Sequence, residues 1–299
     1  MEPTWLLEYK RDVHSHDGED GIVEKILELI PAKNEWCVEF GAWDGIYLSN
    51  TRNLIENHGF AAVLIEGSKA KHEELKRNNE QYKSVIPLCA FVGFNKHDSL
   101  DTILATTPIP RDFDFLSIDV DGNDYHIWKA MSTYQPKLVC IEFNPTVPTS
   151  SKFVQKPDFN ITQGSSLSAL NDLAKEKGYE LVCVISVNAF FVKKEYFPLF
   201  KMENNSPDLL RTDLSGLTYL CVGYDGQVFL EGYRKLPWHN LEIDTASVQQ
   251  LPRSLRTYPH NYSKRQKIAY AWFQFFNRRS ISLRTMLRKI LNTIRDGRE

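Results

Sequence analysis

Apolar positions along this chain follow two alternating periods. Over residues 20–30, "DGIVEKILELI", Ile22, Ile26, Leu29 and Ile30 share one helical face. Short apolar runs then alternate with more polar stretches. The runs at 36–41, 61–66 ("AAVLIE"), 84–92 ("SVIPLCAFV"), 113–120 ("FDFLSIDV") and 137–143 ("KLVCIEF") predict strands. The stretches between them predict helices over about 48–58, 68–78, 98–105 and 123–133. "SSLSALNDLAKEKG" predicts a further helix, with Ser165 or Ser166 as N-cap and Gly178 as its stop. "YELVCVIS" and "NAFFVKK" follow closely enough to pair antiparallel. Strand–helix units with apolar strands predict a doubly wound, Rossmann-like α/β fold, its parallel sheet covered on both faces. Further on, "GLTYLCVGYDGQVFLEGYRK" predicts a hairpin turning at Tyr224, Asp225 and Gly226. The expected organisation is an α/β domain over 1–200, a β-rich extension over 201–252 and a basic, mainly helical tail over 253–299.

Composition adds bounds rather than chemistry. Of 299 residues, 42% are apolar and 25% charged, as in ordinary soluble globular proteins. No run approaches the roughly 18 apolar residues of a membrane-spanning helix. The N-terminal "MEPTWLLEYKRD" lacks a basic lead and an apolar stretch, so no secretory signal is expected. Cys37, Cys89, Cys140, Cys183 and Cys221 are scattered without a CxxC pair. They read as reduced thiols of a cytoplasmic protein, with no zinc site expected.

Charge does change the picture. The net charge is −2, yet residues 253–299 hold twelve Lys and Arg against Asp296 and Glu299, a net +10 that leaves −12 on residues 1–252. A basic tail on an acidic body suggests an anionic partner. In "SLRTMLRKILNTIRDG", Leu283, Met286, Leu287, Ile290, Leu291 and Ile294 form one helical stripe, with Arg284, Arg288, Lys289 and Arg295 outside it. Upstream, "AYAWFQFFNRR" sets aromatics beside arginines. Two expectations follow: a peripheral anchor at an anionic membrane surface, or a helix packed on its own domain or on a twin chain in a homodimer. Nucleic acid is disfavoured, because the acidic body opposes a polyanion.

The candidate chemistry lies at the strand ends, where open α/β sheets bind ligands. The first strand carries Glu39 and breaks into Gly41 and Gly45, with Asp44 between them. The second ends in Glu66, the fourth in Asp119 and Asp121, and the fifth in Glu142 and Asn144. Neither the GxGxxG of a dinucleotide fold nor the GK[ST] of a P-loop is present. Acids repel phosphates and favour a cation, which points to S-adenosylmethionine, a nucleoside with an amino group and a sulfonium and no phosphate. Glycines admit close backbone approach, and Glu66 fits a ribose diol.

The stretches "VEFGAWDG", "VLIEG" and "FLSIDVDGND" resemble motifs one, two and four of class I S-adenosylmethionine-dependent methyltransferases. Together with "LSNT" and "CIEFNP" they resemble the FkbM-like family, over about residues 20–194. The resemblance implies a seven-stranded sheet with an antiparallel last strand, and methyl transfer to a hydroxyl, often on a sugar or glycan such as a surface polysaccharide or glycolipid. It places Glu39, Gly41 and Gly45 toward the methionine end of the cofactor, Glu66 at the ribose, and Cys89 and Ala90 near the adenine, with Ala42, Asn50, Gly67 and Asp119 also among the cofactor-binding residues. FkbM-type proteins commonly carry glutamate where this chain has Asp121.

Methyl transfer to a hydroxyl needs alignment and a base or bound cation. The candidates are Asp119, Asp121, His126, Glu142 and Asn144. Asp119, Asp121 and Glu142 form a candidate Mg²⁺ set, since oxygen ligands suit a hard cation. Asp124 reads as a helix-start residue. The loop "NPTV" raises an N-methyltransferase alternative, although it follows the fifth strand rather than the fourth. A non-catalytic binding or scaffold role is the other alternative.

Overall fold

The computed structural model describes residues 2–31, 34–277 and 283–295. The chain forms two compact units, Met1–Leu214 and Ser215–Glu299. The first unit is built on one seven-stranded sheet. Its strands are β1 (Trp36–Phe40), β2 (Ala61–Glu66), β3 (Val85–Cys89), β4 (Phe115–Ile118), β5 (Leu138–Glu142), β6 (Tyr179–Val184) and β7 (Asn188–Lys193), in the spatial order β3-β2-β1-β4-β5-β7-β6. β1 to β5 run parallel, and β7 runs antiparallel to both its neighbours. β1, β2, β4 and β5 are buried almost throughout. That is why their sequences read as unbroken apolar runs rather than alternating ones.

The helices are α1 (Glu19–Leu29), α2 (Arg52–His58), α3 (Lys69–Asn79), α4 (Leu100–Leu104), α5 (Asp124–Ala130), α6 (Leu167–Glu176) and the short α7 (Pro207–Leu210). Ser68, Ser99 and Ser166 cap α3, α4 and α6, accepting from Lys71 N, Thr102 N and Ala169 N. Each cap satisfies a backbone donor that the first helical turn leaves open. Of the two serines expected to cap α6, Ser166 does so. Gly178, at φ +80°, follows the helix end. The second expected helix starts later than its pattern suggested, at Arg52 rather than 48. Residues 49–51 are instead held as loop by hydrogen bonds to Glu39.

The first unit also reaches beyond residue 200. The Arg211 guanidinium donates to the carbonyls of Pro145 and Val147 and lies over the Phe143 ring. This binds the segment after β7 to the loop that leaves β5.

The second unit contains the hairpin of β8 (Thr218–Val222) and β9 (Val228–Gly232), with Gly226 at φ +77° in its turn. It ends in a helical pair, α8 (Lys264–Asn277) and α9 (Leu283–Arg295). Of the tail charges counted above, Arg278, Arg279, Asp296, Arg298 and Glu299 lie outside the described residues. Among the described residues, no helix is long and apolar enough to cross a membrane.

Candidate functional site

The carboxyl ends of β1 to β4 open onto a cavity of about 380 Å³, within the range of small-molecule sites. Gly41 follows β1, Glu66 and Gly67 end β2, Ala90, Phe91 and Val92 follow β3, and Val120 and Asn123 follow β4. All of them line it. Phe159 and Thr162, from the loop between β5 and α6, complete the wall.

Gly41 is needed for two reasons. Its φ is +70°, and a Cβ there would lie 2.7 Å from the Asp119 carbonyl oxygen, so only glycine lets the β1 and β4 ends approach. Gly45, at φ +72°, is needed for packing. A Cβ there would overlap Leu75 and Asn79 on α3, and Gly45 is not among the cavity-lining residues.

The first group of acids is tied by donors. Glu39 is buried, and its carboxylate accepts from Ser49 Oγ (2.6 Å), Thr51 Oγ1 (2.6 Å) and Asn50 N (2.9 Å). Burial raises its pKa, and these donors oppose the rise. The Asn50 amide in turn donates to Ser117 Oγ on β4. Ala42 N donates to Ile65 O, joining the loop to β2. Asp44 accepts from Ile46 N and Tyr47 N, so it caps its own turn. Glu39, Ala42, Asp44 and Asn50 therefore shape the loop between β1 and α2. Glu66 does line the cavity, and Trp43 N (3.0 Å) and Ser68 N (2.6 Å) fix its two carboxylate oxygens. Each oxygen keeps a second lone pair for a ligand hydroxyl.

The second group of acids faces itself. Asp119, Asp124 and Glu142 each offer an oxygen within 4.8 Å of the others. The turn after β4 brings them together: Asp121 at φ +54° and Gly122 at φ +148° fold the chain back, and Asp124 accepts from Val120 N and Gly122 N. This corrects two expectations. Asp124 is a buried member of the acid trio as well as the start of α5, and Asp121 supplies the strained turn rather than a carboxylate of the trio.

Burial, then the charge of Asp119, raises Glu142 to about 9. Asp119 is the most exposed residue of the trio. Burial first and the charges of Asp124, Asp121 and Glu39 next raise it to about 7. Burial raises Asp124 to about 6. Among the described residues, no side-chain or backbone donor reaches the Glu142 carboxylate.

The other candidates serve the loop between β5 and α6. The His126 ring Nε2 lies 2.8 Å from the Gln155 carbonyl oxygen. Gln155 is buried and its side chain cinches the loop, accepting from Gln163 N and Gly164 N and donating to Ile161 O. Asn144 accepts from Thr146 N and Oγ1 and donates to Gln163 O. Neither residue lines the cavity. Cys89 is exposed outside it, while Ala90 lines it and donates its N–H to Glu66 O.

Sequence reasoning missed Asn123, Phe91, Phe159 and Thr162. Asn123 is 4% exposed and donates to Asp158 O, while its buried Oδ1 has no partner among the described residues. Phe159 stacks on Phe94 at 4.7 Å and meets Phe91 edge-on at 4.8 Å. Phe91 was read as part of the third strand, which ends earlier, at Cys89, and so leaves it exposed beside the cavity. Nothing local marks Phe159 or Thr162.

The sheet order and the antiparallel β7 are those of a doubly wound, Rossmann-like α/β fold. Neither a family model nor a curated protein matches the sequence. Among solved structures, an Aquifex aeolicus SAM-dependent methyltransferase is 12% identical over 64% of this chain and 97% of its own, with a TM-score of 0.36. The CMeT domain of the citrinin polyketide synthase is 10% identical over 63% of this chain, which spans 52% of that one, with a TM-score of 0.41. M. jannaschii TYW2, solved in complex with AdoMet, is 14% identical over 60% and 78% of the two chains, with a TM-score of 0.34.

Proposed function

We propose that the chain is an S-adenosylmethionine-dependent methyltransferase that methylates a hydroxyl, with a sugar or glycan as acceptor class. The carrying observation is the cavity at the β1–β4 ends. It combines a pre-positioned Glu66, a glycine-only approach at Gly41 and an unpartnered buried acceptor, Asn123 Oδ1.

These residues fit the cofactor's chemistry. Glu66 would accept from the ribose hydroxyls. Asn123 Oδ1 would accept from an amino group such as that of adenine, and Phe91 supplies an apolar wall. When bound, S-adenosylmethionine supplies an electrophilic methyl group on a sulfonium. Asp119, raised to about 7, would receive the acceptor's proton, since a base poised close to the working pH is most effective. Glu142, raised to about 9, stays protonated near neutrality and would stand beside it as a proton donor.

The same oxygen-only trio of Asp119, Asp124 and Glu142 has the composition of a hard-cation site. Chelator treatment separates the roles: activity lost with chelator and restored by Mg²⁺ assigns the trio to a metal, and activity indifferent to chelator assigns it to proton transfer. The glycan class rests on the FkbM-like resemblance. Transfer of isotopic methyl from S-adenosylmethionine to a panel of sugars, lipid-linked sugars, amines and nucleic acids tests it. Labelling of amines or nucleic acid alone would replace it with an N-methyltransferase reading. No cofactor binding would leave the scaffold reading.

A further inference from the structure

The helical pair in the second unit presents chemistry that the proposed reaction does not use. From 264 to 295 the sequence holds nine Lys and Arg and no acid. The apolar stripe of α9 is divided in the structure. Met286 is fully buried and Ile290 partly so. Leu283, Leu287, Leu291 and Ile294 stay 45–64% exposed, at a spacing that keeps them on one face. Arg284 and Arg288 lie along one flank of that face. On α8, Trp272 and Phe276 are exposed and stacked at 5.6 Å.

A cavity of about 340 Å³ lies in the same helical pair. Tyr262, Lys267, Tyr270, Gln274, Lys289 and Asn292 are among its lining residues, and among the described residues no carboxylate lines it. Lys289 Nζ donates to Gln274 Oε1 and has further N–H groups to offer.

We infer that the α8–α9 pair docks on an anionic bilayer surface, with the exposed Leu/Ile face of α9 in the acyl boundary and the basic cavity receiving a lipid phosphate. Charge complementarity selects this occupant. In a two-fold dimer the same face would meet itself, setting cations against cations with no acid among residues 264–295 to compensate. A nucleic acid would satisfy the cations and leave the leucines in water. A bilayer interface satisfies both, since basic residues gain from anionic lipids and apolar side chains gain from burial. At 1.5 Å per residue, thirteen residues make about 20 Å, a length that lies along a surface rather than spanning it.

The test is co-sedimentation of the full chain with phosphatidylcholine vesicles, with and without phosphatidylglycerol, across salt concentration. The expected result is binding to the anionic vesicles only, weakened by salt. Reversal of Arg284 and Arg288 to Glu should weaken it by at least about fivefold per residue. Leu287→Glu with Leu291→Glu should weaken it by more than about tenfold. All four side chains are exposed, and unchanged thermal melting would confirm that the variants fold. Inorganic phosphate at matched ionic strength should displace the chain no better than chloride. The inference is overturned if anionic vesicles fail to bind at low salt, or if the leucine variant binds equally. It is also overturned if sedimentation shows a dimer that the leucine variant dissociates, or if phosphate alone competes.

Discussion

Two sets of acids share one sheet edge and are built in opposite ways. Glu39 and Glu66, at the ends of β1 and β2, meet donors: two hydroxyls and an N–H for the first, two backbone N–H groups for the second. At the ends of β4 and β5, Asp124 also accepts from two backbone N–H groups, while Asp119 and Glu142 are gathered against it and each other. At the opposite edge, buried Asp114 is paired with Lys137 at 2.6 Å. The contrast teaches how to read a carboxylate. One whose oxygens are held by donors shapes or positions its surroundings. Carboxylates gathered without a cation keep an uncompensated repulsion, which makes them proton acceptors or cation ligands.

The largest expected effect breaks the first set. Glu39→Ala strands Ser49 Oγ, Thr51 Oγ1 and Asn50 N in a buried place. At about 1–3 kcal/mol for each unsatisfied group, the loss of stability should exceed about 3 kcal/mol in denaturant unfolding. Glu66→Ala should act on binding, costing about 1–3 kcal/mol of S-adenosylmethionine affinity in calorimetry, as expected for hydrogen bonds to a charged group. Asn123→Ala should lower that affinity by about 1 kcal/mol, because the lost acceptor made one neutral hydrogen bond. Its effect on the ligand-free protein should be smaller than that of Glu39→Ala, because it removes one hydrogen bond, the donation to Asp158 O, rather than three.

The smallest effect sharpens the second set, and it has a pH signature. Glu142 rises from 4.5 to about 9 in the folded chain, so the folded state binds more protons than the unfolded one across that window. Stability therefore falls as pH rises through the window. Glu142→Gln should flatten that fall and raise stability near neutral pH by about 1 kcal/mol, given the solvent screening around exposed Asp119. Melting temperatures across the window for both proteins check this. A wild-type stability that rises with pH there would break the comparison.

Most of the fold was legible because buried parallel strands are apolar throughout and the helix before β6 announces itself with a serine cap and a glycine stop. The glycine and acid positions after β1, β2 and β4 were legible too, since those residue types are unusual at the end of an apolar run. What each one does was not. Glu39 and Asp44 read like Glu66, but only the fold shows that their oxygens are taken by the loop between β1 and α2. Asp124 read as a helix start because nothing local reveals that Asp121 and Gly122 turn it back toward Glu142. His126 read as a base, and a carbonyl from a loop about thirty residues away claims its ring. Phe159 and Thr162 reach the cavity through that same loop, whose course depends on Gln155 rather than on any periodic pattern.

The central claim is that the cavity at the β1–β4 ends is a cofactor site organised by Glu66. Titration calorimetry of the full chain with S-adenosylmethionine tests it most directly, run in parallel on Glu66→Ala and Glu142→Gln. The account predicts one saturable site in the wild type, weakened about tenfold or more by Glu66→Ala and far less by Glu142→Gln. No binding to the wild type, or binding that Glu66→Ala leaves unchanged, would contradict it.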